Sequence, residues 1–518
     1  MKDAEWYNAV VDFVDCNVEK GFGNKHAFVD PERSLTYQQL QVYSNKLANV
    51  LGAMKVGREQ RIAMLMLDTI DFPIVFFGAL RAGVVPVCMN TLLTREQSEY
   101  MLEDCRAEVL FIAAPLLDVV GPVLEGLEFL KHVVVVGGQK GTHRYLPFEK
   151  LLKDAGDEFK TAKTCKDETA FWLYSSGSTG DPKGVRHVHT SLMYVAENYG
   201  KNLLGVEHDD ICFAAAKLFF AYGLGAGMAV SLSVGATTVL LPDRPTPESV
   251  LHMLKTYNPT IFFGVPTLYA AMLADENCHP DNSSTKLRIC ISAGEALPTD
   301  VGLSWKKRMG VDIIDGIGST EMLHVFLSNR PGDVRYGTSG REFDGYRLRL
   351  IDDEGNQVET EEIGELLVSG GSAADGYWNK REKSRATFAG VWTHTGDKYY
   401  RDSEGYYHYC GRTDDMFKVS GRWVSPFEVE EALISHAAVL EAAVVAKEDE
   451  EGLVKPKAFV VLNKQTESHH LFYELKDHVK TSVGAWKYPR WIEFVPELPK
   501  TATGKIQRYK LRALSRTG

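Results

Sequence analysis

The chain has 518 residues, of which 44% are apolar and 25% charged. A chain of this size and composition buries a large core unaided, which excludes intrinsic disorder and a fibrous or collagen-like build. Its formal charge of −11, from 58 basic and 69 acidic side chains, argues against binding nucleic acid or an anionic membrane but leaves room for a local basic cleft.

At ~150 residues per domain the length suits roughly three compact units, or one large unit with a smaller appendix. The eight cysteines are scattered from Cys16 to Cys410 without a CxxC pair. Neither a zinc framework nor a disulfide scaffold is indicated, and reduced cytoplasmic thiols are expected. Residues 1–6 are charged and lack the apolar core of a signal peptide.

Residues 61–67, 108–112 and 132–136 are apolar runs of strand length, and 95–104 has a helical pattern opening after Thr94, a suitable cap. No charge occurs from 218 to 242. A membrane span needs ~20 apolar residues, but Gly223, Gly225, Gly227 and Gly235 favour a loop, a buried helix and a buried strand at 237–241. Strands are also predicted at 260–263 and 287–291. After about residue 345 the texture changes to short strands at 347–351, 364–368 and 405–409, separated by Asp, Gly and Asn turns. Beyond a polar turn at 411–415, strands at 442–446, 458–462 and 491–495 accompany a helix near 467–483. The predicted fold class is α/β: a large N-terminal domain (1–413) of mixed α/β subdomains with a β-rich subdomain, then a small α+β C-terminal domain (414–518).

The most informative stretch is 174–184. It packs Gly177, Gly180 and Gly184, the hydroxyls of Ser175, Ser176, Ser178 and Thr179, and Lys183 into eleven residues. Glycine lets backbone N–H groups approach an anion closely, hydroxyls add donors, and lysine adds a point charge suited to phosphate. It is not a Walker A loop, because Asp181 and Pro182 separate Gly180 from Lys183. The flanks at 170–174 and 184–188 both read as strands, giving strand–loop–strand. This segment resembles the phosphate-binding signature of the adenylate-forming superfamily, which includes acyl- and aryl-CoA ligases, carrier-protein adenylation domains and firefly-type luciferases.

Independent positions extend the resemblance over nearly the whole chain. Residues 315–321 are similar to the family's aromatic-Gly-x-Thr-Glu segment, which implies that Glu321 holds Mg²⁺ between the nucleotide phosphates, a hard oxygen ligand for a hard cation. Thr320 is implied at the α-phosphate, and Gly294, Glu295, Ala296, Asp315, Gly316 and Ile317 at the nucleotide. Ile317 stands where the family often has an aromatic residue, which puts adenine stacking in doubt. Residues 393–397 resemble the ribose segment, with Asp397 accepting both ribose hydroxyls and Arg412 completing the clamp. Residues 499–508 resemble the C-terminal catalytic-lysine motif, with Lys505 contacting the substrate carboxylate and the phosphate.

The resemblance implies two half-reactions. A carboxylate attacks the α-phosphate of ATP and releases pyrophosphate; the thiol of coenzyme A then displaces AMP. In this family the small C-terminal domain is mobile and rotates between the steps. Asp414 matches the hinge, and Gly421 matches the segment lining the pantetheine tunnel.

The implied acyl pocket is lined by Phe220, Ala221, Tyr222, Phe263, Ala293, Gly316, Gly318, His324 and Val325. Phe220, Tyr222 and Phe263 would supply flat walls, and Ala221, Ala293 and Gly316 a slot for a planar ring. The strings 217–225 and 315–324 resemble benzoate-CoA ligases, so the expected acid is a small aromatic carboxylate. Hydroxybenzoate and cyclohexanecarboxylate remain alternatives. His324 could hydrogen-bond a ring hydroxyl or cap the pocket through a backbone partner. His187 and His189 lack a nearby third ligand, so a strand-flanking role is expected over a metal pair. An enzyme loading a separate carrier protein stays open, as does a non-catalytic nucleotide sensor, although a sensor has no use for both Lys505 and Glu321. No nucleic acid or membrane partner is expected; a homodimer is one option left open.

Overall fold

The computed structural model describes residues 6–138, 145–175, 181–419, 422–449, 452–463, 469–484, 486–500 and 506–517. Two eight-stranded sheets form the bulk of the large domain. One runs in the order Val325–Ser328, Ile313–Gly318, Ile289–Ser292, Ile261–Gly264, Ile211–Ala214, Thr237–Val239, His26–Val29, Ser34–Thr36. Its five inner pairings are parallel and its two edge pairings antiparallel. The other runs Gly376–Tyr377, Lys183–Val188, Thr169–Ser175, Val85–Cys88, Arg61–Leu65, Val109–Ala113, His132–Val136, Leu146–Pro147. Parallel strands covered on both faces need apolar side chains throughout, which is why Ile261–Gly264 and Val109–Ala113 are buried at every position.

The helices between strands follow their local signals. Arg95–Cys105 starts at Thr94, whose Oγ1 accepts from the Gln97 N–H at 3.3 Å while Gln97 Oε1 accepts from the Thr94 N–H at 3.1 Å. This reciprocal box satisfies two donors a helix start leaves unpaired. The uncharged 218–242 stretch becomes a helix, Ala221–Leu224, continued as a wide turn over Gly225–Val230, then the Thr237–Val239 strand. No helix among the described residues is long and apolar enough to cross a membrane.

The β-rich part is a five-stranded antiparallel sheet built on Trp392–Arg401, which pairs with Gly364–Ser369, Phe388–Ala389 and Tyr407–Arg412. The predicted strand at 405–409 starts two residues later. The Asp402 carboxylate accepts from the Glu404 and Tyr406 N–H groups, and Gly405 sits at φ +87 to close that turn.

The smaller C-terminal domain has a three-stranded sheet, Val439–Glu448, Val454–Leu462 and Trp491–Phe494, covered by helices Pro426–Ile434 and His469–Val483. Its core includes Val444, Val460, Leu475 and Val479, all fully buried. Arg508 ties the last helix down by donating to Glu430 at 2.6 Å, and Phe427 packs against Tyr409 of the large domain with ring centroids 5.3 Å apart. The α/β architecture with a large N-terminal and a smaller C-terminal domain is as expected.

Candidate active site

The strands expected at 170–174 and 184–188 are present. Thr169–Ser175 and Lys183–Val188 pair antiparallel, with Ser175 opposite Lys183 and Tyr174 opposite Gly184. The ladder pins both ends of the glycine- and hydroxyl-rich loop. Ser176, Gly177, Ser178, Thr179 and Gly180 lie outside the described residues, as do Gly421 and Lys505. Tyr174 anchors the loop's base by donating to Asp104 Oδ2 at 2.6 Å.

Lys183 is nearly buried, with Nζ 4.0 Å from Glu321 Oε1 and 4.6 Å from the centroid of the Tyr377 ring. The Tyr377 hydroxyl donates to Glu321 Oε1 at 2.8 Å. Burial lowers the Lys183 pKa, Glu321 opposes that, and Lys383 and Arg412 add to the lowering. Glu321 therefore stands against the Lys183 ammonium and the Tyr377 hydroxyl at once. The sequence reading missed Tyr377. It reaches Glu321 from the two-residue strand Gly376–Tyr377, whose pairing with Arg186 and Val185 carries it alongside Lys183.

Thr320 and Glu321 stand in the turn between Ile313–Gly318 and Val325–Ser328, so the acid belongs to a hairpin and not to a helix N-terminus. Leu323 holds φ +68 there while fully buried, a strained setting for a non-glycine residue that the hairpin and its packing impose. From below, His187 Nε2 donates to the Thr320 carbonyl at 2.8 Å, and its ring stacks on Phe171 at 5.2 Å. Burial holds His187 at a pKa of about 4, neutral at physiological pH. His189 Nδ1 accepts from the Ala9 N–H at 3.3 Å. His187 lies on the Lys183–Val188 strand and His189 opens the helix that follows it.

Asp315 is buried, and burial pushes its carboxyl up to about 8. Its Oδ2 accepts from the Leu297 N–H at 3.5 Å, while Oδ1 has no partner. Gly294 lies close in sequence to this contact, exposed, at φ +97, with open space where a side chain would project; Glu295 and Ala296 complete that turn. Ile317 is half-buried on the hairpin.

Asp397 and Arg412 face each other across antiparallel strands, and Arg412 Nη1 donates to Asp397 Oδ1 at 3.0 Å. Asp397 raises the Arg412 pKa above its ordinary value, and Glu321 contributes to the same shift. The ribose-type pair and the Lys183–Glu321 pair therefore belong to one constellation. Asp414 follows in the turn after Arg412, and Asp415 accepts from Arg512 at 2.6 Å.

Beside these groups lies an aromatic enclosure. Tyr222 meets Phe263 edge-on at 6.3 Å and His324 at 5.5 Å, and Tyr199 lies 5.0 Å from His324. Ala293 and Val325 are buried in the same cluster. Phe220 instead packs edge-on against Phe219 at 4.5 Å and, with Ala221, joins the core of the other sheet. One expectation needs correction. A side chain on Gly316 would meet Leu327 O at 2.8 Å, and one on Gly318 would meet His324 O at 2.5 Å. Their smallness serves the hairpin, and Gly316 opens no slot on that side. Both His324 ring nitrogens are buried, and burial drives its pKa down to about 3, opposed by a backbone contact at Tyr222.

A family model described as "AMP-binding enzyme" matches residues 17–378, and one described as "AMP-binding enzyme C-terminal domain" matches 428–505. The chain is 54% identical over 514 residues to the 4-hydroxybenzoate--CoA/benzoate--CoA ligase of Rhodopseudomonas palustris, covering 99% of this chain and 95% of that protein. It is 52% identical over 516 residues to the benzoate--CoA ligase of Thauera aromatica, covering 99% and 97%. Among solved structures, the anthranilate CoA ligase AuaEII in complex with anthranoyl-AMP superposes with a TM-score of 0.94 at 43% identity, covering 99% of this chain and 98% of that one. A benzoate CoA ligase from Burkholderia xenovorans LB400 superposes at 0.90 with 47% identity, covering 98% and 100%.

Proposed function

Because the chain belongs to the AMP-binding enzyme family, we propose that it activates a small aromatic carboxylic acid, benzoate first, with ATP and passes the acyl group to coenzyme A. The observation carrying this reading is the convergence of Lys183, Glu321 and the Asp397–Arg412 pair beside the enclosure of Tyr222, Phe263 and His324. A triphosphate and a flat apolar acid can thus meet in one place.

The benzoate oxygen attacks the α-phosphorus of ATP, its bond to the β-phosphate bridge breaks, and pyrophosphate leaves. The CoA thiol then attacks the benzoyl carbonyl, gives up its proton, and AMP departs. Two anions must approach each other in the first step, so preorganised positive charge is the main requirement. Lys183 and the loop from Ser175 supply it at the phosphates, with Thr320 at the α-phosphate. Asp397 and Arg412 hold the ribose. The buried Asp315 carboxyl would accept a donor of the nucleotide, and the turn at Gly294, Glu295 and Ala296 with Gly316 and Ile317 would line the base. Glu321 fits Mg²⁺, which takes one or two carboxylates together with substrate phosphates; bound there, the ion would neutralise charge between phosphate groups. Lys505 joins the first step and Gly421 lines the path of the thiol in the second, with the two domains meeting at 413/414 and Asp414 as hinge. The eight free thiols suit a cytoplasmic setting.

A second reading, a hydroxybenzoate as substrate, draws support from His324, whose neutral ring lies against Tyr222 in the enclosure and could bond a ring hydroxyl. The test is a panel of benzoate, hydroxybenzoates, aminobenzoate and cyclohexanecarboxylate, scored for acid-dependent AMP formation with ATP, magnesium and CoA. Benzoate is expected to give the highest kcat/KM. AMP formation with none of these acids would overturn the reading.

A further inference from the structure

The turn that opens the aromatic enclosure is tied to the opposite sheet by a buried carboxylate. Asp68 follows the Arg61–Leu65 strand of one sheet, and Lys217 follows the Ile211–Ala214 strand of the other. The crevice outside the carboxyl ends of such strands is where open α/β folds bind ligands. The Asp68 side chain is 2% exposed, and both its oxygens accept from the Leu218 N–H, at 3.3 and 3.2 Å. Lys217 Nζ stands 4.0 Å from Asp68 Oδ2 and is itself gathered by the carbonyls of Leu241, Pro242 and Asp243. Lys217 O in turn accepts from the Phe220 N–H at 3.0 Å. That carbonyl lies 2.1 Å from where a side chain on Gly223 would start, so the turn has no slack.

We propose that Asp68 is a positioning residue for the acid substrate: it fixes the 217–222 turn, and through it Tyr222 and the wall of the acyl enclosure. The inference rests on the aryl-CoA ligase reading above. A buried ionised carboxylate is costly unless paired, and Lys217 and the Leu218 N–H are the partners that hold Asp68 charged against the turn. Burial pushes Asp68 up to about 6, opposed by Lys217 and the Leu218 N–H. The charged groups facing it are Lys217 and, behind Lys217, Asp243. Below about pH 6 the carboxyl takes a proton, the Leu218 N–H loses its ionic acceptor, and Lys217 loses its counter-charge.

The experiment compares wild type with Asp68→Asn, measuring the KM of benzoate, the KM of ATP and kcat between pH 5 and pH 8. Wild type should show a benzoate KM that rises below pH 6 while the ATP KM stays level. Asp68→Asn should raise the benzoate KM about tenfold at pH 7.5, the loss expected for one charge-assisted hydrogen bond. It should change the ATP KM less than twofold and abolish the low-pH step. Equal shifts in both KM values, or a pH step that survives in the variant, would overturn the proposal. So would a flat wild-type profile, a result that does not depend on the variant folding. Failure of the aryl-CoA ligase reading would show separately, as wild-type enzyme that forms no AMP with benzoate.

Discussion

Removing the Tyr377 hydroxyl should weaken the grip on magnesium without disturbing the acid. Tyr377 lies 2.8 Å from Glu321 Oε1 and 3.4 Å from Thr387 Oγ1, and its ring sits 4.6 Å from Lys183 Nζ. Tyr377→Phe keeps the ring and its contact with the lysine but deletes a hydrogen bond to a carboxylate that is 15% exposed. Hydrogen bonds to charged groups are worth about 1.5–3 kcal/mol, which at ~1.4 kcal/mol per decade is roughly 10- to 150-fold. Lys183 still restrains Glu321, so the lower end applies, and the half-saturating magnesium concentration should rise about tenfold. Benzoate-dependent ATP–pyrophosphate exchange measured over a magnesium series gives that number directly. A variant whose half-saturating magnesium stays within twofold of wild type would refute Tyr377 as the residue that orients Glu321.

Other outcomes follow from the same constellation. Asp397→Asn should raise the KM of ATP by about 10- to 100-fold, given a charge-assisted pair, and leave the benzoate KM unchanged; a change in the benzoate KM alone would misplace the ribose. Lys505→Ala should stop pyrophosphate exchange yet still convert supplied benzoyl-adenylate and CoA to thioester, whereas Gly421→Leu should do the reverse. Equal loss of both half-reactions in either variant would contradict domain alternation. For Asp315, the folded carboxyl titrates near 8 and the unfolded one near 4. Between those values the folded state binds more protons, so this group's contribution to stability falls as pH rises. Asp315→Asn should therefore gain on wild type in urea midpoint from pH 5 to pH 7.5, and an equal difference at both would contradict the burial argument.

Much of this was legible from local signals. Thr94 announces a helix start because a cap is a local device, and the apolar runs at 108–112 and 132–136 read as strands from their length and composition. The strands flanking the 174–184 loop were legible because both are short runs with apolar side chains, bounded by glycine. What escaped depends on long-range placement. Tyr377 meets Glu321 across 56 residues and Asp68 meets Leu218 across 150, and neither carries a signal stronger than an aromatic after glycine or an acid after a strand. Gly316 was read as open space because composition reveals a missing side chain but not what fills its place, here Leu327 of the paired strand. His324 could be placed in the pocket, but its burial depends on Tyr199 and Tyr222, which close over it from distant elements.

The central claim is that the acid's own oxygen bonds to the α-phosphorus of ATP. Benzoate labelled with oxygen-18 in both carboxyl positions, turned over with ATP, magnesium and CoA, should deliver one labelled oxygen to AMP and none to pyrophosphate. Label in pyrophosphate, or AMP released without label, would contradict an acyl-adenylate.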